Sequence, residues 1–291
     1  MDKWTELRTA LHVAKLGTVS AASDALQIHR ATVNRHIDAL EDELGARIFI
    51  RHGRGYTLTD EGQDVLRVAQ KTEDLLLDLS GRVQGKTAEI VGDITVTTLP
   101  VFAHLLMRPI ANFRIEHPSC RVLISGTEDL ARLEFAEAHV AVRAGPKPSN
   151  PDYVVLPYAS IHIGLYAHKS YIDRRGRPTG VDDLGHHEFV TSTPASARVP
   201  FTLWLHEHIS ADQIALATDN HRVREEAIFS GVGIGFMSQF EVKGRDDMVE
   251  VLPPRDDWAV QLWLVTHVDL HRTAKVQAMI DHIKRERRQQ P

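Results

Sequence analysis

Between residues 7 and 44 the apolar positions fall into three short blocks at helical spacing. Leu7, Leu11 and Ala14 line one side of a first helix that should stop at Gly17, a residue suited to a left-handed C-cap. Ala21, Ala22, Ala25 and Leu26 predict a second helix capped by Thr18 or Ser20. Its face is small, which lets another helix cross it closely, as a helix-turn-helix requires. After a turn at Gln27-Ile28-His29, Val33, Ile37, Leu40 and Leu44 place a third helix from Arg30 to just before Gly45.

The polar side of that third helix carries the first candidate chemistry. Ala31, Asn34, Arg35 and Asp38 fall opposite the apolar stripe, and His29, Arg30 and Thr32 sit at its start, where a recognition helix presents side chains to base edges. Arginine matches guanine bidentately and asparagine matches adenine, so Arg30 and Asn34 are expected to read bases and Arg35 and His36 to hold phosphate. Ile48-Phe49 and Tyr56-Thr57-Leu58 then flank Arg51, His52 and Arg54 with two glycines, which predicts a two-stranded wing with a basic tip.

Thr59 is a plausible cap for a long helix from Asp60 to about Gly85, with Val65, Leu66, Ala69, Leu76 and Leu79 as its apolar stripe. That stripe exceeds what sixty residues can cover, so pairing with the same helix of a second copy is expected. Beyond Ile90 the pattern changes to strands alternating with helices. Strands are expected at Ile94–Thr97, Val122–Ser125, Val140–Val142, Ile161–Tyr166, Glu188–Val190, Gly233–Phe236 and Gln261–Val265. Helices are expected at Ala103–Glu116, Glu128–Glu137, Val223–Ser230 and Thr273–Arg287, and the alternation implies a mostly parallel sheet.

Charge changes this picture in one respect. A net charge of −5 over 291 residues confines any nucleic-acid contact to a local basic surface. Between Arg30 and Arg54 the acids Asp38, Glu41, Asp42 and Glu43 bunch in the later half of the third helix, leaving its start and the wing positive. The single cysteine, Cys120, excludes an intramolecular disulfide and is expected to be a buried thiol at a strand edge. Neither a secretory signal pattern nor a membrane-length apolar run is visible, so a cytoplasmic location away from membranes is expected.

Gly17-Thr18-Val19-Ser20-Ala21-Ala22, Leu26, Val33, Ile37, Leu40-Glu41-Asp42-Glu43-Leu44-Gly45, Phe49, Arg51 and Leu58-Thr59-Asp60-Glu61-Gly62 together closely resemble the N-terminal signature of LysR-type transcription regulators. Phe113-Arg114-Ile115-Glu116-His117-Pro118 and Gly231-Val232-Gly233-Ile234-Gly235 are similar to fragments of the same family's effector domain. The chain departs from the pattern at Ala10, at His29-Arg30 and Asn34, at His139 where aspartate is common, and at Met237-Ser238.

The resemblance implies a multidomain α/β fold. A winged helix-turn-helix DNA-binding domain over 1–60 is followed by a dimerising linker helix and hinge over 61–87. An effector domain of periplasmic-binding-protein-like (type II) architecture covers 88–291, with one half near 88–160 and 267–291 and the other near 161–266. It implies a homodimer or homotetramer on double-stranded DNA, RNA polymerase as a partner, and a small-molecule effector between the two halves. The effector residues implied at strand ends and helix starts are Thr97, Thr98, Leu99, Thr127, Arg143, Thr191, Ser192, Thr193 and Asn220.

Other chemistry is poorly supported. The glycine run 231–235 lacks the third glycine and the acidic partner of a dinucleotide fingerprint, and His186-His187-Glu188 and His206-Glu207-His208 lack metal-hydrolase spacing. No glycine-flanked nucleophilic serine is present. No catalytic residue, cofactor or metal is therefore expected. The alternatives left open are a ligand-independent architectural DNA binder, a solute-binding protein and an enzyme.

Overall fold

The computed structural model describes residues 3–53, 55–84, 89–126, 131, 133, 137–194 and 199–289, in two compact units. The first comprises Met1–Val142, Pro148–Leu156 and Leu264–Pro291, and the second Arg143–Lys147 and Pro157–Trp263.

The first unit begins with helices α1 (Trp4–Leu16), α2 (Val19–Leu26) and α3 (Arg30–Leu44), then the antiparallel hairpin β1 (Phe49–His52) and β2 (Gly55–Leu58). Gly17 and Gly45 end α1 and α3 with φ of 76° and 67°, as the periodic stretches require. Leu7, Leu11, Val13, Ala22, Val33, Ile37, Leu40 and Phe49 are buried together. Thr59 Oγ1 accepts the Gly62 N–H at 2.9 Å and starts helix α4 (Asp60–Gln84).

The stripe predicted on α4 is divided between two environments. Ala69 is fully buried and Val65 and Leu66 pack against the core of α1–α3, so this part of the stripe is satisfied within its own chain. Val68, Leu75, Leu76, Leu79 and Val83 are exposed. At about 100° per residue these five share an arc roughly 100° wide.

Next come β3 (Gly92–Thr98), α5 (His104–Glu116), β4 (Cys120–Gly126) and β5 (Val140–Ala144), with β3 parallel to both β4 and β5. Cys120 is fully buried where β4 starts, and burial pushes its thiol pKa up. Most of the helix expected over Glu128–Glu137 lies outside the described residues. The sheet has the order β4-β3-β5-β12-β6, completed by β12 (Val260–His267) and β6 (Tyr153–Ile161). β6 escaped the sequence pattern because Pro157 interrupts it. As the outermost strand, β6 tolerates a residue that cannot donate to the ladder. Helices α10 (Val268–His271) and α11 (Ala274–Gln289) close the chain, and α11 packs on α5.

The second unit contains β7 (Ile163–His168), α6 (Lys169–Arg175), β8 (Phe189–Thr191), α7 (Pro200–His208), β9 (Ile214–Ala217) and α8 (His221–Phe229). It continues with β10 (Gly235–Ser238), α9 (Gln239–Val242) and β11 (Met248–Leu252). β8 pairs in parallel with β9, and its Phe189 bridges Ile234 in parallel; β7 is central to β10-β7-β11 and antiparallel to both neighbours, which corrects the expectation of a mostly parallel sheet for those three strands. The five consecutive buried residues from Ile163 to Ala167 arise because β7 is covered on both faces. Leu165 and Ala167 enter one apolar cluster and Tyr166 another, and two-sided burial erases the alternation that marks an antiparallel strand.

The glycine run after α8 is a packing device. A Cβ on Gly233 would lie 2.7 Å from the Glu188 carbonyl oxygen, and one on Gly235 would lie 2.4 Å from Ile228 Cδ1.

Candidate nucleic-acid interface and effector strand ends

The turn between α2 and α3 is held by side chains the apolar pattern cannot reveal. Thr18 Oγ1 accepts the Ala21 N–H at 3.2 Å, and Ser23, buried on α2, donates its hydroxyl to Ile28 O at 2.6 Å. Gln27 takes a left-handed conformation, φ 54°, to reverse the chain. With Val33, Ile37 and Leu40 buried, α3 leaves Arg30, Ala31 and Arg35 exposed, with Thr32, Asn34 and His36 half-buried beside them and His29 exposed at the N-cap. Among the described residues neither Arg30 nor Arg35 has an ion-pair partner.

Three of the expected contact residues also have work inside the domain. Tyr56 of β2 donates its hydroxyl to Asn34 Oδ1 at 3.0 Å; that oxygen keeps a second lone pair and the amide keeps its donors, so the pair expected to read adenine remains usable. Thr9 donates its hydroxyl to Thr5 O, so the 2.9 Å contact with His36 Nδ1 has the imidazole as donor and ties the ring to α1. Arg51 pairs with Asp38 and lies 3.6 Å from Glu41, with its guanidinium 5.6 Å from the Tyr56 ring centre. The Asp38 hydrogen bond raises the arginine's pKa further, so Arg51 is charged but half spoken for. Arg54 lies outside the described residues.

Glu41 is the residue that sequence reasoning undervalued. It read as one of several acids on α3, yet it is buried; Oε1 accepts the N–H groups of Ile48 and Phe49 at 2.8 and 3.2 Å, and Oε2 pairs with Arg47 at 2.8 Å. One carboxylate thus ties the recognition helix to the start of the wing.

The predicted effector residues divide by unit. In the first, Thr97 and Thr98 end β3, both buried, and Leu99 continues extended into a tight turn closed by Phe102 N–H on Leu99 O. In the second, Thr191 ends β8 and Ser192 follows it, both buried. Among the described residues the hydroxyls of Thr98, Thr191 and Ser192 make no hydrogen bond. Thr193 instead donates to Asp219 Oδ1 at 2.8 Å, and Asn220 caps α8 by accepting the Val223 N–H at 3.1 Å. Arg143 lies half-buried in β5 and is engaged by neighbours. Thr127 lies outside the described residues.

Residues 4–63 match the family described as bacterial regulatory helix-turn-helix protein, lysR family, and residues 87–288 match the LysR substrate binding domain. The chain belongs to the LysR family of transcription regulators. The LysR-type chain is 24% identical to an HTH-type transcriptional repressor of Pseudomonas aeruginosa, over 97% of this chain and 92% of that one. It is 23% identical to the HTH-type transcriptional activator IlvY of Salmonella typhimurium, over 84% and 85% of the two chains. Its fold is similar to that of a full-length OxyR variant from Pseudomonas aeruginosa, with a TM-score of 0.70 at 16% identity, covering 96% and 94% of the chains. It is also similar to CbnR complexed with its target DNA, with a TM-score of 0.58 at 19% identity over 98% and 99%. This LysR-type protein is accordingly a DNA-binding regulator with an effector-binding domain rather than an enzyme. No helix among the described residues is long and apolar enough to cross a membrane.

Proposed function

We propose that this regulator works in the cytoplasm as a homodimer or homotetramer that binds a pseudo-palindromic double-stranded site and passes the effector's presence to RNA polymerase. The observation that carries the DNA reading is the pair Arg30 and Arg35, exposed on the first two turns of α3 and without an ion-pair partner among the described residues. Asn34 between them is oriented by Tyr56. Two such helices from a symmetric dimer would enter successive major grooves about 34 Å apart. His29, Ala31, Thr32 and His36 complete the helix's contact surface, and Arg51 and Arg54 form the wing's contribution. The division of labour that fits is DNA binding over 1–60, the linker helix over 61–87 and effector sensing over 88–291.

The effector we propose is a small polar or anionic metabolite. Support comes from the buried hydroxyls of Thr98, Thr191 and Ser192, since a buried polar group without a partner is costly and a ligand's polar atoms would supply one. Thr97, Leu99 and Thr193 beside these strand ends, Asn220 at the start of α8, and Thr127, which lies outside the described residues, complete the proposed set, with Arg143 as a candidate partner for an acidic group. Footprinting of the purified protein on its own promoter region, with and without a metabolite panel, tests the whole reading. Two protected half-sites one helical turn apart, altered by at least one metabolite, are expected. Uniform, sequence-independent protection would favour the architectural reading instead.

A further inference from the structure

The C-terminal end of α5 and the middle of α11 bring together three side chains that the regulatory reading does not use. Glu116 is the last residue of α5, His117 its C-cap, and His282 lies on α11. One ligand atom from each falls within 4.8 Å of the other two. We propose that Glu116, His117 and His282 form a three-ligand site for a divalent transition-metal ion of the zinc type.

Hydrogen bonding sets the chemistry of His282. Its ring is buried, and Nδ1 lies 2.8 Å from the Ala278 carbonyl oxygen, which can only accept, so Nδ1 carries the proton. In the neutral ring Nε2 is then a bare lone pair. That atom is buried, makes no hydrogen bond with the described residues, and lies 3.2 Å from Glu116 Oε1. Two electron-pair donors at this separation require a positive species that both can reach. A backbone carbonyl holding one imidazole nitrogen so that the other points at a cation is the usual support of a histidine metal ligand.

The spacing also suits a metal. A tetrahedral zinc with bonds of about 2.0–2.1 Å separates its ligand atoms by roughly 3.3 Å, close to the observed His282–Glu116 contact. His117 needs only a modest approach to join them. Its ring packs tilted on Phe113 with centres 4.9 Å apart, while the same phenylalanine meets His282 edge-on at 5.6 Å, so one aromatic side chain braces both imidazoles. Arg285, 3.2 Å from Glu116 Oε1, pairs with that side chain as a carboxylate. Two imidazole nitrogens and one carboxylate favour zinc, copper or nickel over magnesium or calcium, which prefer all-oxygen shells. The negative end of the α5 dipole adds to the attraction.

Two arginines bear on the site. Arg285 Nη1 reaches Glu116 Oε1 at 3.2 Å, the same oxygen His282 approaches, so an ion held there would share that oxygen with the guanidinium. Arg114 is turned to the carbonyls of His117, Pro118 and Cys120, where it caps the helix end.

The competing arrangement is a proton on His282 Nε2, giving an ion pair that needs no metal. Tag-free protein, stripped with chelator and titrated with zinc chloride in a calorimeter, separates the two. The wild type should bind zinc and melt at a higher temperature with it, whereas E116Q and H117N should each weaken binding at least about tenfold while melting normally without metal. Equal zinc affinity in wild type and variants, or none in any, would overturn the site. Should a variant not fold, anomalous scattering at the zinc edge from wild-type crystals decides: a peak among these three side chains supports the proposal, and peaks only elsewhere end it.

Discussion

His139 Nε2 lies 2.7 Å from Asp74 Oδ2, and both side chains are buried. The Thr95 N–H donates to His139 Nδ1 at 2.9 Å, so that nitrogen must be unprotonated and Nε2 must carry the hydrogen given to Asp74. Lys275, also buried, donates to the other Asp74 oxygen at 2.5 Å and to Asp93 O at 2.8 Å. A neutral imidazole, a carboxylate and an ammonium thus join α4 to the start of β5 and to α11. Removing one partner strands the rest: Lys275→Met should cost about 3–5 kcal/mol, seen as a lower urea midpoint. A change within error would mean that water already reaches the cluster.

This tautomer has a pH signature. Burial lowers the His139 pKa in the folded chain, so below its ordinary value of about 6.5 the unfolded state takes up protons first and stability falls with pH. Burial alone would raise Asp74, but His139 and Lys275 outweigh it and leave the carboxyl depressed, adding a second loss below about pH 4. His117, His187 and His271 are also depressed, mainly by burial, and share the first loss. His139→Gln can keep both hydrogen bonds without titrating. Its urea midpoint should therefore vary less than the wild type's between about pH 5 and 7; identical slopes would show that His139 is not among the groups responsible.

At the DNA surface, Arg35→Ala should weaken every sequence alike and lower the salt slope by about one per chain, as loss of a phosphate contact does. Asn34→Ala should relax preference at one base pair per half-site at a cost of about 1–3 kcal/mol. Binding to a substituted operator library at several salt concentrations checks both. Equal loss on all sequences for Asn34→Ala would leave it only the structural role of receiving Tyr56.

For assembly, Leu76→Glu combined with Leu79→Glu should reduce the oligomer to monomers in sedimentation without unfolding it, because both side chains are exposed. Ala69→Glu, by contrast, should unfold the N-terminal domain, since that position has no exposure at all. An unchanged mass for the double variant would place the interface elsewhere.

Thr191→Val and Ser192→Ala remove hydroxyls that make no hydrogen bond with the described residues, so each should leave stability unchanged or raise it by up to about 1 kcal/mol. Both should nevertheless reduce the ligand-induced change in the footprint. Full ligand response in both variants would remove this strand end from the effector site.

The N-terminal elements were legible because each buries one face, and Leu7, Val33 and Ile37 therefore keep strict helical spacing. β7 was visible as a strand but not in its direction, since burial on two sides leaves no alternation to read. Asp74, His139 and Lys275 gave no signal: 65 and 201 residues separate the carboxylate from its partners, and singly each looks like an ordinary surface charge. The departure from the family pattern at His139 was the nearest clue, and its meaning became clear only once Thr95 and Asp74 were seen on either side of the ring.

The divided surface of α4 gives the helix a fixed azimuth. A rod gripped by apolar contacts alone can roll through small angles at little cost, because one methyl group replaces another. Here the grip includes the buried carboxylate of Asp74, and a roll that withdraws it from Lys275 would leave a buried charge without that partner. The bearing of Val68, Leu75, Leu76, Leu79 and Val83 is therefore keyed, through Asp74, to Lys275 of α11 and His139 at the start of β5.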